Sequence, residues 1–145
     1  MLFGQDRDQL RRFFCEVWRK HLGGEALEPL ESLIAQVIAQ HPEYHALLTD
    51  PERALERDWL PEMGETNPFL HMGMHIAIQE QLGVQRPAGI LEVYQALCRR
   101  VGDAHEAEHR MMEALGETLW EASRSGLAPD EQRYLRRLRR LAGLP

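Results

Sequence analysis

Asn67-Pro68-Phe69-Leu70-His71-Met72-Gly73-Met74-His75-Ile76-Ala77-Ile78 reads as the start of a buried helix. Asn67 is a helix cap, and Pro68 suits the first helical position, where a missing N–H costs nothing. Ten of the twelve residues from Phe69 to Glu80 are neither charged nor amide, and two of those ten are histidines. At about 100° per residue, His71 and His75 lie roughly 40° apart, on the face that also carries Met74, Ile78 and Leu82. Imidazoles on an apolar face need polar partners, since an unpaired buried polar group costs about 1–3 kcal/mol.

The same periodicity extends outward in both directions. Period-2 runs and tight hairpin turns are missing from the sequence, so the expected class is all-α: one domain over 1–145, a bundle of about six to seven helices, several of them short. A first helix is expected from about Asp6 to Leu22, capped by Asp6 with Gln9 and stopped at Gly23. A second begins at Pro29 and is ended by Pro42. A short helix after Pro42 carries His45, and Asp50-Pro51 starts another, to about Arg57. Asp58 to Thr66 reads as an irregular loop with three acids, Asp58, Glu62 and Glu65, and with Trp59, which is expected to pack on the core. After Leu82-Gly83 the chain breaks through Arg86-Pro87. Ile90–Val101, Ala104 to about Ser123, and Pro129–Leu141 complete the helices.

The long helix from Ala104 repeats the histidine spacing. On a helical wheel, Glu108 falls about 60° to one side of His105, and His109 about 40° to the other. The Glu108 side also carries Met111, Met112, Leu115 and Leu119. Glu106 and Glu113 fall on the outer edge. A carboxylate on an apolar face is unusual unless it is paired or binds a metal. His71, His75, His105, Glu108 and His109 are therefore the candidate metal ligands, with His45 as a further candidate. His41 precedes a proline and is pushed towards extended backbone. It is expected to behave as a surface position whose loss costs within about 0.5 kcal/mol. His109→Ala is expected to cost at least about 1–3 kcal/mol.

Imidazole nitrogen with carboxylate oxygen suits zinc or iron, and helical bundles build metal sites from inward side chains one turn apart. The alternative is a non-metal interaction or scaffold protein whose buried histidines are structural. Met72, Met74, Met111 and Met112 read as core filler. Cys15 and Cys98 read as small buried hydrophobes in a reducing compartment.

The 145 residues are 43% hydrophobic and 28% charged, with a net charge of −6, an ordinary globular composition that disfavours nucleic acid. The five arginines of the last helix read as a solvated face. No apolar run approaches a membrane span, and residues 1–6 lack the pattern of a secretory signal, so a cytoplasmic protein is expected. A homo-oligomer is left open, as is any small-molecule or protein partner.

Asn67 to His75, His105-Glu106-Ala107-Glu108-His109-Arg110-Met111-Met112-Glu113 and His41-Pro42-Glu43-Tyr44-His45 resemble an uncharacterised proteobacterial family, domain of unknown function 1841. Phe3-Gly4-Gln5 and Arg7 are similar too, and the likeness covers essentially the whole chain. It implies no activity. A weaker likeness is to haemerythrin-type bundles, whose His-x-x-x-Glu pair His109 and Glu113 resemble, although the order and number of ligands depart from that pattern. His105-x-x-Glu108-His109 also matches the inverted zinc-protease motif, in which the glutamate is the general base.

Overall fold

The computed structural model describes residues 6–59 and 66–145. All regular structure among them is helical, and two compact units are distinguished, Met1–Ile76 and Ala77–Pro145. Eight α-helices occur among the described residues, two of them only four and six residues long.

The first unit begins with α1 (Arg7–Leu22). The Asp6 carboxylate accepts from the amides of Asp8 and Gln9 at 2.9 and 3.2 Å, satisfying donors that have no partner inside the helix. The helix ends at Gly23, and it is Gly24, at φ +69°, that takes the left-handed conformation a side chain resists. The second helix, α2 (Pro29–Ala39), is stapled at its start by Glu31, whose Oε1 accepts from the Glu28 amide at 2.8 Å. A 3₁₀ turn, Pro42–Tyr44, leads into α3 (His45–Leu48), and α4 (Pro51–Glu56) follows. Against α1 pack α2, α3 and α4. Phe14, Val17, Trp18, Ile34, Ile38 and Leu48 fill the core with Phe69, Met72 and Ile76 from α5 (Pro68–Val84).

Trp59 packs at the edge of that core, its ring 6.0 Å from Phe69. Glu62 and Glu65, two of the acids in the loop before α5, lie outside the described residues.

Glu31 offers a test of local electrostatics. The Glu28 amide, and then Lys20 at 3.0 Å, hold its carboxyl below the usual carboxylate range. A depressed folded-state pKa adds stability above the unfolded value, and that stability is lost as pH falls through the folded value. Glu31→Gln keeps the acceptor for Glu28 but removes the charge. Denaturant unfolding is therefore expected to show the variant weaker than wild type at neutral pH, with the gap closing in acid below the folded-state value. A gap of the same size in both conditions would show that the charge contributes nothing.

The second unit comprises residues 77–84 of α5 with α6 (Ile90–Val101), α7 (Ala104–Ser125) and α8 (Glu131–Leu141). The last three pack on one another around Ile90, Val93, Leu97, Met111 and Leu138. Asp103 and Asp130 cap α7 and α8 by accepting from the Glu106 and Arg133 amides. The Tyr134 hydroxyl, buried, donates to Gln81 Oε1 at 2.7 Å. Burial pushes its pKa up, so it stays a neutral donor. Arginines of α8 meet acids: Arg137 pairs with Glu121 and Glu117, Arg133 with Glu121, and Arg139 with Glu92 at 4.0 Å. No helix is long and apolar enough to cross a membrane, among the described residues.

Candidate metal centre

The first turn of α5 sets the direction of its histidines. Asn67 Oδ1 accepts from the Phe69 and Leu70 amides at 2.9 and 3.3 Å, and Pro68 occupies the first helical position. One turn on, His75 is fully buried and His71 half-buried. Their Nε2 atoms are 3.3 Å apart, so one ring donates to the other. Met72, Ile76 and Ile78, all fully buried, hold the helix in place.

His41 departs from its expected surface role. Its backbone is non-helical (φ −125°, ψ 69°), as a residue before proline should be. That bend turns the ring back over the last turn of α2 instead of out to solvent. The side chain is only 4% exposed. Its Nδ1 is 2.7 Å from the Val37 carbonyl, which can only accept, so Nδ1 carries the proton. The ring stacks on Tyr44 with centroids 5.5 Å apart and planes 8° from parallel. It also meets His71 at 5.2 Å and His75 at 4.8 Å. The expectation of a surface residue is therefore corrected. His41→Ala is expected to cost about 1–3 kcal/mol in denaturant unfolding, because it strips a buried ring of its packing and its hydrogen bond. A cost below about 0.5 kcal/mol would return His41 to the status of a surface residue.

His45 is directed elsewhere. Its Nε2 donates to the Ile38 carbonyl at 2.8 Å, and its ring lies 4.5 Å from the ring of Trp18. His21 stacks on the same tryptophan at 5.1 Å.

On α7, periodicity places the inward groups as the wheel does. Glu108 is buried at 4% exposure, and its Oε1 accepts from Gln79 Nε2 at 2.9 Å. His105 and His109 are half-buried with ring centroids 4.3 Å apart. Glu106 and Glu113 are exposed, so the His109–Glu113 pair of the haemerythrin likeness does not share one buried face.

Within the first unit the rings of His41, His71 and His75 converge, with centroids 4.8 to 5.2 Å apart. Two of these residues belong to the set expected from sequence, and His41 is the addition. His71 adjoins His75, Glu108 holds Gln79, and His45 stays with Trp18. No signal in the sequence alone marks it, because Pro42 sets the backbone at His41 but not where its ring points.

The sequence model of the family described as Domain of unknown function (DUF1841) matches residues 6–140. The chain belongs to that family. No curated protein matches it, and neither does any solved structure. Every candidate ligand falls inside the matched span.

Proposed function

We propose that this family member binds a transition-metal ion through its gathered histidines, with His41 and His75 as ligands. The carrying observation is the convergence of the rings of His41, His71 and His75, with centroids 4.8 to 5.2 Å apart. Neutral imidazole suits zinc and iron, and the set contains no thiolate to select a softer ion. A tetrahedral site takes four ligands, so two histidines leave positions for further groups or water. Chemistry on water or dioxygen would need one coordination position left to the substrate.

Protein purified without an affinity tag is expected to carry, or to take up, about one ion per chain, read by elemental analysis. His41→Ala and His75→Ala should each lose it. Wild-type protein that stays metal-free after loading and buffer exchange would end this reading. A second reading, an interaction or scaffold protein with structural histidines, is favoured by the bonds from His41 to Val37 and from Gln79 to Glu108, which already engage these groups within the protein.

A further inference from the structure

We infer that His71 is an outer partner of the metal centre: it engages Nε2 of His75, so that His75 presents Nδ1 to the ion, while His41, tied through Nδ1 to Val37, presents Nε2. This rests on the metal reading above and deepens it. An imidazole has two nitrogens, and a hydrogen bond at one fixes the tautomer and leaves the other as the ligand atom. For His41 the partner is a carbonyl 2.7 Å from Nδ1, so the proton is on Nδ1 and the ligand atom is Nε2. For His75 the bonded atom is Nε2, 3.3 Å from Nε2 of His71. When Nδ1 of His75 binds the ion, Nε2 keeps its proton and must donate, so His71 accepts. His71 is less buried than His75, as suits a residue outside the coordination sphere. The α2 carbonyl and the α5 imidazole thus play one role, each orienting a ligand ring and making it a better donor. Tyr44, flat against His41, restrains the ring's tilt.

The test loads the full chain, labelled with nitrogen-15, with zinc alone and records two-bond proton–nitrogen spectra. The expected pattern is zinc on Nδ1 of His75 with a protonated Nε2, and zinc on Nε2 of His41 with a protonated Nδ1. His71 should carry no zinc-shifted nitrogen. In parallel, His71→Ala is expected to weaken zinc about 10–100-fold while still binding one ion per chain. His71→Gln, whose amide oxygen can accept from His75, should recover most of that loss. Zinc on Nε2 of His75, a zinc-bound His71 ring, or a His71→Ala variant that loses the ion altogether as His75→Ala does would overturn the inference while leaving a metal site standing. Failure of wild type to take up zinc at all would instead overturn the metal reading, and this inference with it.

Discussion

Zinc at one hundred times its dissociation constant is expected to stabilise the wild-type chain by about 2.7 kcal/mol, and a chelator to remove that gain completely. An ion that needs gathered, deprotonated rings binds the folded chain and not the unfolded one, so its binding free energy appears as folding free energy. His75 is the position at which this should fail most sharply. It is fully buried, and its ring meets those of His41 and His71. In His75→Ala the melting temperature should no longer respond to zinc or to chelator. The variant should also sit about 1–3 kcal/mol below chelated wild type, because a buried ring and its hydrogen bond are gone. The two losses separate in one experiment, thermal melts with and without zinc on both proteins. If zinc raises the melting temperature of wild type and variant equally, it binds outside the histidine group.

Features that depend only on neighbouring residues are legible in the sequence alone. Asp6, Asn67, Asp103 and Asp130 each accept from amides two or three residues on, a bond that needs no tertiary context. The inward turn of Glu108 follows from helical periodicity, because α7 runs unbroken over 22 residues. What the sequence hides depends on the rest of the fold. Pro42 alone dictates an extended backbone at His41, but where an extended residue aims its ring is decided by the helix it folds back upon. Gln79, which holds Glu108, leaves no mark in the pattern, because an amide near the end of so apolar a helix carries no periodic signal. His45 shares its spacing with His41, yet Trp18 of α1 and the Ile38 carbonyl of α2 claim its ring. Spacing fixes which side chains share a helix face, and only packing selects among them.

Arg11→Met is expected to cost about 2–4 kcal/mol, a large loss for a residue outside the histidine group, by taking the guanidinium donor from the buried Ala54 carbonyl and from the end of α4. The guanidinium is only 4% exposed. Its Nη1 donates to the carbonyls of Ala54 and Arg57, at 2.9 and 2.7 Å, where α4 ends. The last carbonyls of a helix have no partner within it, and a six-residue helix cannot hold itself together in water. One turn earlier, Arg7 reaches the same end through Leu55 and Arg57, but from an exposed position and with Asp58 competing for it. The guanidinium also lies over the rings of Trp59 and Phe69, at 5.1 and 5.0 Å. Burial, and then Arg7, lower its pKa, yet from so high a starting value the group stays charged at neutral pH. Methionine keeps much of the volume and removes every donor, taking from the buried Ala54 carbonyl its guanidinium partner and leaving the Arg57 carbonyl to Arg7. Arg11→Lys should recover less than half of the loss, since an ammonium cannot bridge two carbonyls while lying flat on an aromatic ring. Because Phe69 lies two residues before His71, zinc affinity should fall in both variants, and amide exchange should quicken over residues 51–57. A denaturant midpoint unchanged from wild type would mean that the end of α4 is held by Arg7 alone.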